Sequence, residues 1–94
     1  MMPVIFNKEI YRRNQEKFKA RIGDRVKILF KARDWDGGWG ADWAESMDRT
    51  VGQEGTIIVI DPYAGFGIRP DNETNCCHGR GYWLYPYYCV SLVR

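Results

Sequence analysis

No apolar run in these 94 residues approaches the roughly 20 that a membrane-spanning helix requires, so no transmembrane helix is expected. The opening segment MMPVIFNKEI has no basic region ahead of its few apolar residues. It does not read as a signal peptide, and the cytoplasm is the expected compartment. Cysteine is sparse and odd in number: Cys76, Cys77 and Cys89 show no framework spacing. Adjacent cysteines rarely bridge each other because their side chains diverge, so reduced thiols are expected. There is no internal repeat and no low-complexity tract. The glycines of GGWG and GRG do not join a strand to a helix start, which excludes a phosphate loop.

Catalytic and metal chemistry are similarly thin. Cys77-His78 cannot serve as nucleophile and base, since neighbouring side chains seldom face each other and no third group orients them. Cys76, Cys77, His78 and Cys89 are the one cluster of metal-ligating type. A tandem Cys-Cys-His does not present three ligands to one tetrahedral ion; two of them with Cys89 could if the final strand lies alongside, and structural thiols are the plainer reading. The loop DWDGGWGADWAE (Asp34 to Glu45) carries acids at positions one, three, nine and twelve of a calcium loop. It has Trp39 where the sharp turn needs glycine, and a strand rather than a helix precedes it. No catalytic residue, metal or cofactor is expected, and the chain reads as a non-enzyme.

What is present is aromatic and β-branched. A composition 45% hydrophobic and 15% aromatic suits one small globular domain. A chain this short buries only about 60–65% of its unfolded surface, so its core is small. The net charge of +2 hides an asymmetry. Residues 1–21 hold six cations against Glu9 and Glu16, a balance of +4, while residues 34–48 hold five acids and no Lys or Arg. A solvated helix face plus a polar loop would account for both; alternatively, one of the two steers a charged partner.

The spacing predicts an amphipathic helix over about 8–20. Asn7 would be the N-cap and Phe6 with Tyr11 a hydrophobic staple. Ile10, Tyr11, Phe18 and Ile22 would form its stripe, Glu9 and Arg13 an ion pair, and Gly23 the stop. Strands are predicted at Arg25–Ala32, Thr56–Ile60, Gly65–Arg69, Tyr82–Tyr85 and Cys89–Val93. A long loop with a helical turn near Ala41–Met47 joins the first two, and Pro86 breaks the last two apart. The predicted core is Val26, Ile28, Phe30, Val51, Ile57, Val59, Ile68, Leu84, Val90 and Leu92. The expected fold is thus mainly β: a small five-stranded barrel over residues 22–94, with a helical extension over residues 1–21.

The order strand, long first loop, three strands, Pro-linked turn and final strand resembles an SH3-like barrel. More closely, GDRVKIL, the Trp-rich acidic loop, SMDRTVGQEGTIIVID and GYWLYPYYCVSLV are similar to the SH3-like repeats of Mind bomb and HERC-type ubiquitin ligases, and to small stand-alone bacterial and phage proteins. The helix and the Cys-His insert at Asp71–Arg80 depart from that pattern. In SH3 domains a Pro-rich peptide lies on aromatics of the first loop and the Pro-linked turn, with loop acids pairing a ligand Arg or Lys. The resemblance therefore implies a non-catalytic protein-binding module, an adaptor or inhibitor, and a phage-encoded one is compatible with it. Its expected site is Trp35, Trp39, Asp42, Trp43, Glu45, Trp83, Tyr85, Pro86 and Tyr88, and its partner a basic or Pro-rich protein segment.

The aromatic count points the same way. Trp35, Trp39, Trp43, Tyr63, Tyr82, Trp83, Tyr85, Tyr87 and Tyr88 exceed what so small a barrel hides, and wet aromatic rings are common interface anchors. Strand alternation sets Tyr82 and Leu84 on one face against Trp83 and Tyr85 on the other. In the plainer reading, Trp35, Trp43 and Trp83 are lids over a core that cannot seal itself. The alternative function is nucleic-acid binding through Arg12, Arg13 and Lys17 on the basic helix. Self-association through the aromatic patch is a third.

Overall fold

The computed structural model describes residues 4–33, 38–72 and 81–93, with side chains from Lys8 onward. Among these residues one helix precedes a five-stranded antiparallel sheet: α1 (Val4–Phe18), β1 (Arg25–Ile28), β2 (Glu54–Asp61), β3 (Gly65–Pro70), β4 (Trp83–Tyr85) and β5 (Val90–Leu92). A 3-10 helix at Glu45–Thr50 precedes β2, and a 3-10 turn at Tyr87–Cys89 links β4 to β5. The spatial order is β4-β3-β2-β1-β5. Consecutive strands pair as a meander, and β1 takes β5 on its other side through Val26↔Leu92 and Ile28↔Val90.

Local chemistry explains the strand positions. β2 is rich in β-branched residues, which favour the pleated surface. The hairpin to β3 turns on Asp61, whose Oδ1 accepts from the N–H of Tyr63 (2.9 Å) and of Ala64 (2.8 Å). A register shift between Ile57 and Val59 bends β2 against β3. Pro86 ends β4 because it has no N–H to donate.

The core holds Val26, Ile28, Ile57, Phe66, Ile68 and Val90 from the strands, joined by Tyr11, Met47 and several rings. Val59, Leu84 and Leu92 are half-buried rather than central. Two core expectations are corrected. Phe30 is 48% exposed, because β1 ends at Ile28 and the period-two pattern has no strand left to run on. Val51 is also exposed, as it leaves the 3-10 helix instead of entering a strand. The expected helical turn lies later than predicted, at Glu45–Thr50.

The helix starts at Val4, so Asn7 lies within it rather than at its cap; the side chains of Phe6 and Asn7 lie outside the described residues. Pro3, just upstream in sequence, costs a starting helix no hydrogen bond. The helix also stops early. Lys19 adopts φ 58°, a left-handed conformation, and Ile22 is left 67% exposed beyond it. Arg12, not Arg13, makes the helix ion pairs: its fork reaches Glu9 at 3.0 Å and Glu16 at 2.7 Å. Tyr11 is fully buried, and the Phe18 ring meets Phe66 at 5.4 Å. Phe66 and Ile68 share the core face of β3, so α1 covers the core at the Phe66 end.

Candidate functional site

The acidic first loop is held by its own indoles. Trp39 donates its Nε1–H to the carbonyl of Ala64 (2.6 Å), and the Gly40 N–H donates to Tyr63 O (2.8 Å). These bonds fix the loop against the β2–β3 turn. Trp43 donates to Asp48 Oδ1 at 2.6 Å and meets the edge of the Tyr85 ring at 5.6 Å. The buried Thr50 hydroxyl donates to Met47 O (2.6 Å) and lies 2.8 Å from the Tyr85 hydroxyl. A hydroxyl has one proton, so Tyr85 is the donor to Thr50. The Arg49 guanidinium carbon lies 5.6 Å from the centre of the Trp83 ring, within cation–π range.

The expectation of wet rings is therefore corrected for Trp39, Trp43, Trp83 and Tyr85. Trp39 is 3% exposed, Trp43 9%, Trp83 6%, and Tyr85 and Pro86 are fully buried. Tyr88 stays half-buried, with its ring edge-on to Tyr87 at 5.3 Å; Tyr82 and Tyr87 are half-buried too, and Tyr63 is exposed. The sheet alone does not hide these four rings. The first loop and α1 both fold back and supply the missing cover. Trp35 lies outside the described residues.

The charged members of the set stand differently. Asp42 and Glu45 are exposed, and neither enters an ion pair among the described residues. Asp48 is engaged, accepting from Trp43 and lying 3.6 Å from Lys31. That ion pair brings Lys31 beside the 3-10 helix, and the Gly52 N–H donates to Ile28 O at 2.7 Å. Leu29, Phe30 and Val51, all exposed, therefore lie beside the 3-10 helix that begins at Glu45.

On α1, Arg13 and Lys17 are exposed one turn apart, whereas Arg12 is committed to two carboxylates. Hydrogen bonds from Arg12, then Tyr63, hold Glu9 below the usual carboxylate range. The Tyr63 hydroxyl donates to Glu9 at 3.1 Å, which raises the phenol and ties helix to turn. Across the sheet, Arg25 donates to Asp71 (2.8 Å) and Thr56 (2.9 Å); the Arg25 hydrogen bond lowers the Asp71 carboxyl.

Gln15, which sequence reasoning passed over, proves central. It is 5% exposed, accepts from the Tyr11 hydroxyl at 2.6 Å and donates to Asp61 O at 2.8 Å. Its place one turn after Tyr11 on the buried stripe is the signal that could have found it. Beside it a groove of about 350 Å³ runs between Arg12, Glu16 and Lys19 on one wall and Ile60, Pro62 and Phe66 on the other.

No group of three metal-ligating side chains converges among the described residues. Cys76, Cys77 and His78 lie outside the described residues, and Cys89 is the buried residue of the 3-10 turn at Tyr87–Cys89. Among the described residues no helix is long and apolar enough to cross a membrane. No protein-family model matches the chain, and no curated protein matches it.

Proposed function

We propose that the chain is a non-catalytic protein-binding module of SH3-like architecture that recognises a basic protein segment at its first loop. The strand order, the bulged second strand, the long first loop and the 3-10 turn before the last strand support that architecture. The reading rests on one observation. Among the described residues Asp42 and Glu45 enter no ion pair, and they stand on a loop whose described indoles, Trp39 and Trp43, are locked into the core. A loop fixed in this way loses little freedom when it binds, and uncompensated carboxylates at its surface select for Lys or Arg. Exposed Leu29, Phe30 and Val51 add apolar area beside the 3-10 helix that begins at Glu45. The indoles act as anchors for the loop instead of as contacts for the ligand.

The test is fluorescence anisotropy with a labelled Pro-rich peptide carrying Arg and Lys. Asp42→Lys with Glu45→Lys weakens binding by about tenfold or more, and wild-type binding persists at moderate salt. Unchanged affinity in the reversed variant refutes the reading. Steep salt dependence, with loss on Arg13→Gln and Lys17→Gln, would transfer the function to nucleic acid.

A further inference from the structure

The link between α1 and β1 carries a conflict between local and global preference. Within one helix, Tyr11, Gln15, Phe18 and Ile22 would share a face, being separated by four, three and four residues. Ala20, Arg21 and Ile22 are all compatible with helix, and Gly23 (φ 97°) is a natural stop. Yet α1 breaks at Phe18, because Lys19 takes a left-handed conformation that favours glycine. The break turns the chain back toward β1 and leaves Ile22 67% exposed, off the stripe to which its spacing assigns it.

The seat of α1 combines ring contacts with hydrogen bonds. The Tyr87 ring meets Tyr11 at 5.1 Å, and the Tyr87 N–H donates to the Tyr11 hydroxyl at 3.4 Å. Asp61 O accepts from Gln15, Glu9 accepts from Tyr63, and Phe66 receives Phe18. These partners belong to the β2–β3 hairpin and the turn before β5, so α1 is joined through the chain to the sheet that seats it by the strap 19–24. A short strap held in strain favours exchange of the element it carries.

We propose that Lys19 is a hinge and that two copies of this chain exchange α1, each helix seated on the other copy's Asp61–Phe66 turn and Tyr87. In the exchanged form Lys19 turns helical, α1 runs on to Ile22, and Ile22 rejoins the Tyr11–Gln15–Phe18 stripe. Each copy keeps every seat contact, because an identical helix replaces its own. The interface is isologous and closes as a dimer. This inference uses surfaces other than the acidic loop and is independent of the peptide recognised there.

Sedimentation velocity of the full chain over rising concentration gives the dimer constant. An isotope-filtered NOE experiment on a mixture of labelled and unlabelled copies then asks whether Phe18 of one copy touches Phe66 of the other. The expected result is a concentration-dependent dimer with that inter-copy contact. Lys19→Gly, which removes the strain of the closed form at an exposed site, weakens the dimer by about fivefold or more, while Lys19→Ala does not. A monomer at every attainable concentration, a dimer without the Phe18–Phe66 inter-copy contact, or a dimer indifferent to Lys19→Gly would each overturn the proposal.

Discussion

Removing a single oxygen from Tyr11 tests how the helix is held. The Tyr11 hydroxyl is fully buried, donates to Gln15 Oε1 at 2.6 Å and accepts a longer bond from the Tyr87 N–H at 3.4 Å. Tyr11→Phe keeps the ring, its contact with Tyr87 and nearly all of the packing. It leaves the Gln15 amide oxygen without a donor in a site closed to water. A buried acceptor stripped of its partner costs about 1–3 kcal/mol, more than the net worth of the bond itself. In a domain of this size each kcal/mol lowers Tm by about 4–8 °C. Urea denaturation should show the midpoint falling at constant slope. In Tyr11→Phe/Gln15→Met neither orphan remains on the helix, so the double variant loses less than the two single losses combined, by about 1 kcal/mol. A Tyr11→Phe protein within roughly 0.3 kcal/mol of wild type, or strict additivity in the cycle, would refute a desolvated Tyr11–Gln15 pair.

Three further outcomes follow from the geometry. Burial raises the Tyr11 phenol above its ordinary 10.0, so the stability it contributes is complete below that pH and is lost as pH climbs from there toward the folded value. Tm followed from about pH 9 upward should therefore fall more steeply for wild type than for Tyr11→Phe, and parallel curves would contradict this. Gly65 sits at φ 105°, where a Cβ would strike the Tyr85 carbonyl, 2.8 Å from its carbon, whereas Gly52 at φ 92° has open space. Gly65→Ala should cost at least about 3 kcal/mol and Gly52→Ala about 1–2 kcal/mol, measured by chemical denaturation; equal losses would sink the steric argument. Lys19→Gly should raise the monomer's Tm by a few degrees, since glycine accepts φ 58° without strain.

The strands were legible because their punctuation is chemical. Gly23-Asp24, Asp61-Pro62, Pro70 and Pro86 limit where pairing can run, and the runs between them alternate or are β-branched. Phe30 and Val51 were misplaced because alternation says which face a residue takes while the strand lasts, and not where the strand ends. The helix was found, but its ends were not. Its C-terminus is set by the need to return to β1, which overrides local preference at Lys19. Asp42 and Glu45 could be read as exposed from composition. The indoles beside them could not be placed, since their burial depends on bonds to Ala64 and Asp48 and on contact with Tyr85. Gln15 was hidden by its polarity: a core position that hydrogen-bonds looks, in sequence, like a surface one.

The pairing of β1 with β5 bears on how the chain is made. The β2–β3 hairpin closes at once through Asp61↔Gly65, but Val26 must wait for Leu92. Bridging that longer separation costs about 2–3 kcal/mol more loop entropy than the hairpin, at roughly 0.6 kcal/mol per doubling. During synthesis, residues 24–85 can leave the ribosome while one side of β1 still lacks its neighbour. A nascent or proteolysed chain ending before Val90 presents that bare edge as a template for another chain, so such fragments should aggregate.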